Sequence, residues 1–236
     1  GMGTQWKNFN WSHITTVAFY GGALDMDLLC YAHSKNVRVV HATSIPEKHI
    51  ENTTFRNLWV NETMRFVEEN YLDGLNVDFE QAITRGQGPT RAALIATMQS
   101  LRTSIDSHFG QFGASAGQLS FDTPYTPHDA SRCYDYVAMS KLVDFFMIMD
   151  YDIFGCPRDE IRKGHYTCAA GANSPIKTAL EGIPQWISVV GNDTSKLVIG
   201  YPWYAHVYQC IQGGNSSSPI GVSNTTVDCI NAGPWT

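Results

Sequence analysis

Asn76, Asp78 and Glu80 alternate with Leu75, Val77 and Phe79 in the run Tyr71-Leu-Asp-Gly-Leu-Asn-Val-Asp-Phe-Glu80. Successive side chains of a strand point to opposite faces. Leu75, Val77 and Phe79 therefore share an apolar face, while Asn76, Asp78 and Glu80 share a polar one. Parallel strands are normally apolar on both faces, and burying polar groups is costly without partners. The stripe needs a purpose. Asp78 and Glu80 stand about 6–7 Å apart at the backbone. Carboxyls that close push their proton affinities apart, so one stays charged while the other becomes a proton donor. That is equipment for general acid–base catalysis. Two plainer uses of the same residues are a hydrogen-bonded network without chemistry and a cation held by Asp78 and Glu80.

The elements that must hold this run form a regular series. Strand patterns occur at 15–20, 37–42, 74–80, 119–122, 143–151 and 196–201. Helical spacing links Phe55, Trp59, Phe66 and Val67, and then Leu94, Met98, Leu101 and Ile105 behind Pro89. A third helix is predicted to carry Cys133, Val137 and Leu142. A fourth carries Ile183, Ile187 and Val190, with Pro184 in its first turn. Strands separated by helices imply parallel pairing with right-handed crossovers. The fold class is α/β, a doubly wound sheet or a (β/α)8 barrel, with six β/α units visible. No G-x-G-x-x-G or G-K-[ST] run supports a nucleotide-binding sheet. Barrel active sites lie at the C-terminal ends of the strands. Glu80 is thus expected at the mouth, Asp78 beneath it and Asn76 in the interior. Asp73 falls near the floor, roughly 23 Å from Glu80 at the usual rise per residue.

Charged residues make up only 16% of the 236 positions, with a net charge of −6. No basic stripe suits nucleic acid. No apolar window is long enough to span a membrane. Six cysteines (Cys30, Cys133, Cys156, Cys168, Cys210 and Cys229) accompany six Asn-x-Ser/Thr triplets at Asn10, Asn52, Asn61, Asn192, Asn215 and Asn224. Together these point to the secretory pathway, and glycans would help a charge-poor surface stay soluble. Cys156 with Cys168, and Cys210 with Cys229, are expected to form local disulfides; Cys30 and Cys133 pair or stay free. No cysteine or histidine spacing suits a metal site. Residues 1–236 read as one barrel domain, with 207–236 a disulfide-stapled loop after the sixth strand.

Asp73-Gly-Leu-Asn-Val-Asp-Phe-Glu80 resembles the D-G-x-D-x-D-x-E signature of glycoside hydrolase family 18, the chitinase family. Met149-Asp-Tyr-Asp152 resembles that family's M-x-Y-D. The likeness continues in order through 6–16, 30–40 and 196–204. The resemblance implies a glycosidase acting on β-1,4-linked N-acetylglucosamine in chitobiose and small chitooligosaccharides, including the core of glycoprotein N-glycans. It implies that Glu80 is the general acid. It also implies that Asp78 orients the substrate's 2-acetamido group and that Tyr151 hydrogen-bonds its carbonyl. The acetamido oxygen would attack the anomeric carbon, giving an oxazolinium ion and retained configuration without a protein nucleophile, outside the usual two-carboxylate scheme. Asn76, Met149, Asp152, Trp203 and Tyr204 would line the sugar site. Tyr151 and Asp152 are adjacent, so both face the site only if the strand ends or bulges there. No cofactor is implied. The expected partner is the oligosaccharide alone, with a monomeric enzyme in the lysosome or secreted. The alternative is an inactive chitin-binding lectin or a shortened, inactive form on the same fold.

Two departures stand out. The signature usually has Asp where this chain has Asn76, and the family's barrel has eight strands where six are visible here. The family's terminal-strand Trp has no counterpart in context, since Trp235 lies beyond the loop. Other signals are set aside. Gly113-Ala-Ser-Ala-Gly117 lacks the strand–turn–helix order of a nucleophile elbow. His41 reads as a core residue. Asp122, with Ser120, lies opposite in direction to Leu119 and Phe121 and has only a weak claim to a place near Glu80.

Overall fold

A computed structural model describes residues 3–113, 117–153 and 172–205, with the backbone of 208–211 and 228–231. Six strands follow one another in space in chain order: β1 (Thr16–Tyr20), β2 (Arg38–Thr43), β3 (Gly74–Val77), β4 (Gln118–Pro124), β5 (Phe145–Met149) and β6 (Leu197–Gly200). Every adjacent pair is parallel. The crossovers include α1 (Met26–Ser34), α2 (Thr53–Glu69), α3 (Gly88–Phe109), α4 (Tyr136–Met139) and α5 (Ile176–Val189). Among the described residues the sheet stays open between β1 and β6. The result is a curled half-barrel with helices on its outer face, the six-unit α/β barrel expected.

The outer face holds the core. Val39, Leu75, Val77, Phe79, Leu119, Phe121, Phe146 and Ile148 are nearly inaccessible and cluster with Val60, Met64, Leu94, Met98, Ile105 and Trp186 of the helices. Full burial of each such side chain contributes about 1.5–3 kcal/mol. Local signals set the helix starts. Asn52 Oδ1 accepts the Phe55 amide at 3.0 Å and caps α2. Asp25 does the same for α1 through Leu28, and Pro89 opens α3. Side-chain caps of this kind satisfy amides that the helix itself leaves unpaired.

Register carries the inner face. Tyr20 pairs with Ala42, Ala42 with Asn76, and Asn76 with Ser120, so one layer crosses four strands. Asp122 stands opposite Met147 in the next layer of β4 and β5. Gly74 makes the close approach of β3 to β4 feasible. Its φ is +141°, and a Cβ there would lie 2.0 Å from the Gln118 carbonyl oxygen. Such geometry is open to glycine alone.

Three expectations need correction. Cys133 is not helical: its amide donates to Ile83 O at 2.8 Å, and Ile83 bridges to Arg132. With those backbone groups spent on extending the sheet, α4 starts only behind Asp135, which accepts the Ala138 amide at 2.9 Å. The fourth helix begins at Ile176, so Pro184 lies inside α5 rather than in its first turn. The packing of Ala179, Gly182 and Trp186 carries the helix through the proline, with Trp186 Nε1 donating to Pro124 O at 3.2 Å. Beyond β6, the tail contains an antiparallel pair, β7 (Tyr208–Ile211) and β8 (Asp228–Asn231), with Cys210 opposite Cys229. Among the described residues Cys30 and Cys133 form no disulfide. Cys156, Cys168, Ser115, Asn215, Asn224 and Trp235 lie outside the described residues.

Candidate active site

The residues singled out on β3 separate as their alternation requires. Leu75, Val77 and Phe79 are at most 1% exposed in the core, whereas Asn76 faces inward and Glu80 is exposed at the strand's C-terminal end. Asn76 is held on every side. Its Nδ2 donates to Ser120 Oγ at 3.1 Å and to Asp122 Oδ1 at 2.8 Å. Its Oδ1 lies 3.0 Å from the Tyr20 hydroxyl, which is also 2.8 Å from Asp122 Oδ2. Asp122 is 2% exposed. Burial, with the charges of Asp78 and Glu80, outweighs the hydrogen bonds from Asn76 and Tyr20 and pushes its carboxyl up to about 6. Burial first, then the neighbouring Asp122 carboxylate, raises the Tyr20 phenol.

Asp78 is half-buried, and its Oδ1 is inaccessible yet has no hydrogen-bond partner among the described residues. Burial and then the Glu80 charge raise its proton affinity, with Arg132 opposing them. A buried carboxylate oxygen without a donor is costly to maintain. Glu80 pairs with Arg132 at 2.5 Å. Arg132 reaches it because the Ile83–Arg132 bridge lays residues 131–134 alongside the chain beyond β3. Tyr134 secures that stretch from below, its hydroxyl placed 3.1 Å from Phe79 O and 2.5 Å from Gln81 O.

The second cluster follows β5. Met149 ends the strand half-buried. Asp150 turns into the interior at 3% exposure; one oxygen has no hydrogen-bond partner among the described residues and the other is 3.5 Å from the Ser174 hydroxyl. Burial raises its proton affinity. Asp152 adopts φ +54°, and its amide donates to Asn173 Oδ1 at 2.6 Å. This left-handed residue is the strand ending that lets neighbouring side chains serve one site. Tyr204 donates to Asp152 Oδ2 at 2.7 Å, and the Tyr151 and Tyr204 rings meet edge to face at 6.3 Å. Burial, then Asp122, Asp78 and Glu80, pushes the Tyr151 phenol up to about 12. Tyr151 therefore stays protonated at neutral pH, a hydrogen-bond donor facing a group of carboxyls.

The structure thus brings Asn76, Asp78, Glu80, Met149, Tyr151, Asp152 and Tyr204 to the C-terminal ends of β3, β5 and β6. Trp203 is 95% exposed and packs against none of them. Ordinary core packing is excluded for Trp203 and for the exposed Tyr204. His41 sits between the Phe19 and Phe66 rings at 4.9 and 4.8 Å, on the helical side of the sheet. Sequence reasoning did not single out Tyr20, Arg132 or Asn173. Tyr20 ends a strand on the inward parity and was detectable by register; Arg132 and Asn173 lie in loops whose reach no periodicity reveals. Among the described residues, no group of three His, Cys, Asp or Glu side chains could hold a metal. Solvent-open hollows also lie away from the site among the described residues. One of about 590 Å³ lies between α2 and α3, and one of about 340 Å³ lies beside His33 and Asp73.

Known proteins resemble this chain in sequence and in fold. The chain is 35% identical over 219 residues to a probable di-N-acetylchitobiase 1 of Dictyostelium discoideum, covering 88% of this chain and 53% of that one. It is 35% identical over 207 residues to di-N-acetylchitobiase of Mus musculus, covering 87% and 52%. The chain spans about half the length of these curated relatives. Among solved structures, a class V chitinase from Nicotiana tobaccum in complex with NAG4 superposes with a TM-score of 0.70 at 15% identity. That match covers 97% of this chain and 70% of that one. A chitinase from Bacteroides thetaiotaomicron gives 0.66 at 16%, covering 98% and 70%. These structural likenesses are of fold. The model of the glycosyl hydrolases family 18 matches residues 46–231, which include both acidic clusters, and the chain belongs to that family.

Proposed function

We propose that this protein hydrolyses β-1,4 linkages between N-acetylglucosamine units in chitobiose and small chitooligosaccharides, with the core of glycoprotein N-glycans among its substrates. One observation carries the reading: Asp78, Glu80 and Tyr151 share the C-terminal end of the sheet with complementary equipment. Glu80 is exposed, so once the substrate displaces Arg132 its carboxylate takes up a proton from solvent at acidic pH and passes it to the glycosidic oxygen. Asp78 is half-buried, and its inaccessible Oδ1 lacks the donor that an acetamido N–H would supply. Tyr151 keeps a phenolic proton to donate to the acetamido carbonyl.

The chemistry then runs as substrate-assisted retention. The acetamido oxygen attacks the anomeric carbon while Glu80 protonates the leaving oxygen. Asp78 holds the N–H and counters the positive charge of the oxazolinium ion. Water, deprotonated by Glu80, reopens the ring on the same face. Electrostatic complementarity of this kind is commonly the largest contribution to catalysis. Exposed Trp203 and Tyr204 offer apolar faces to sugar rings. The di-N-acetylchitobiase relatives support the substrate class.

The protein acts as a monomer in the lysosome or outside the cell. Asn10, Asn52, Asn61 and Asn192 are all exposed, as carriers of N-glycans must be. The facing positions of Cys210 and Cys229 support a disulfide between them. Incubating the protein with chitobiose at acidic pH tests the reading. Release of N-acetylglucosamine with initial retention of configuration supports it. Binding without turnover identifies a lectin instead.

A further inference from the structure

We propose that Asp122 is a positioning residue for this reaction: it holds a proton within the Tyr20–Asn76 network, and its neutral state leaves the negative charge to Asp78. The inference rests on the hydrolase reading and assigns a task to a buried carboxyl that the mechanism above does not use.

Counting protons carries the argument. The Tyr20 hydroxyl is 2.8 Å from Asp122 Oδ2 and 3.0 Å from Asn76 Oδ1. Both Asn76 amide protons are already committed, to Ser120 Oγ and Asp122 Oδ1. If Asp122 is a carboxylate, one hydroxyl proton must serve two acceptors, and one contact brings oxygen against oxygen with no proton between them. If Asp122 Oδ2 carries a proton, it donates to Tyr20, Tyr20 donates to Asn76 Oδ1, and every contact has a donor. A fully satisfied buried network is favoured over a half-satisfied one.

The surroundings agree. Asp122 is 2% exposed and forms no ion pair among the described residues. The titratable groups that face it are Tyr20 from β1, Asp78 and Glu80 at the end of β3, and Tyr151 beyond β5. Arg132, the cation in this group, is paired with Glu80. Burial together with those carboxyls pushes Asp122 up to about 6. Asn76 cannot hold a charge, so the ionisable partner of Asp78 stands one strand away, on β4. As pH rises past 6, Asp122 ionises and takes the Tyr20 proton from Asn76. It then sets a second buried charge beside Asp78, which disfavours the carboxylate that the acetamido group needs.

Asp122→Asn is the discriminating variant. Its amide copies the donor–acceptor pattern of the protonated carboxyl and cannot ionise. Asp122→Ala removes the network partner. Two measurements on the full chain separate the outcomes: chitobiose hydrolysis across pH, and an infrared titration of the protonated-carboxyl band without substrate, as wild type minus Asp122→Asn. The expected band disappears with a midpoint near pH 6, a value close to that set by burial. Asp122→Asn should keep kcat within about threefold at acidic pH and move the alkaline limb up by about one pH unit. Asp122→Ala should lose activity at every pH. The proposal is overturned if the band is absent at pH 5, or if the Asp122→Asn and wild-type profiles coincide. A chain without turnover at any pH overturns the reaction role along with the hydrolase reading. The infrared titration still decides separately whether Asp122 holds the proton.

Discussion

Asp73 and Asp78 flank the four residues of β3, one at each end, and their surroundings differ in kind. Asp73 Oδ2 accepts the Val39 amide at 2.7 Å and lies 2.8 Å from His33 Nε2. It ties β2 to the approach of β3 through two contacts on one oxygen. Asp78 has an unpartnered oxygen, carboxyl neighbours and a raised proton affinity. The same side chain thus serves cohesion at the floor and stays unsatisfied at the mouth. That division follows the barrel rule that the N-terminal face carries stability and the C-terminal face carries chemistry. The unmet hydrogen-bonding capacity marks the functional end.

Substitutions can break or sharpen this contrast. Asp78→Ala should lower kcat/KM for chitobiose by about 10²–10⁴ with an unchanged melting temperature, because no native hydrogen bond is lost. A shifted melt with retained turnover would erase the distinction between the two ends. Tyr151→Phe should cost about 10²-fold in kcat, since it removes a single donor to the reacting group. Asp73→Ala should do the opposite of Asp78→Ala. It should lose about 1–3 kcal/mol of stability in denaturant unfolding, by leaving the Val39 amide unpaired, with unchanged turnover per folded molecule.

A further effect concerns pH. Asp122 is raised in the folded state, to about 6 from the ordinary 3.8. Between those values the folded chain binds more protons than the unfolded one, so stability falls as pH rises from about 4 to about 6 and then levels off. The loss amounts to about 2–3 kcal/mol at most. Urea unfolding across this range should show a steeper fall in the wild type than in Asp122→Asn, which keeps only the contributions of groups such as Asp78 and Asp150.

Much of the contrast is legible in the sequence. The period-2 pattern of 74–80 separates core from site, and the counted positions put Asp73 at the floor and Glu80 at the mouth. All six strands follow from β-rich runs between helical spacings. The partners of the site were less legible. Nothing local says that the Ser131–Tyr134 stretch abandons helix for a bridge that brings Arg132 to Glu80. That depends on a contact between residues 52 positions apart in the chain, and the link from Tyr20 to Asp122 spans 102. Pro184 misled for a related reason: tertiary packing of Trp186 outweighs a local break signal. Asp122 had a weak claim from parity alone, and only cross-strand register shows that it faces Asn76.

The central claim is that the mouth of β3 is a catalytic site with Glu80 as its proton donor. The most direct measurement is the rate of N-acetylglucosamine release from chitobiose by the wild type and Glu80→Gln at acidic pH. A turnover that falls by about 10³ or more in the variant, with chitooligosaccharide binding preserved, is the predicted result. Equal rates in the two proteins would contradict it.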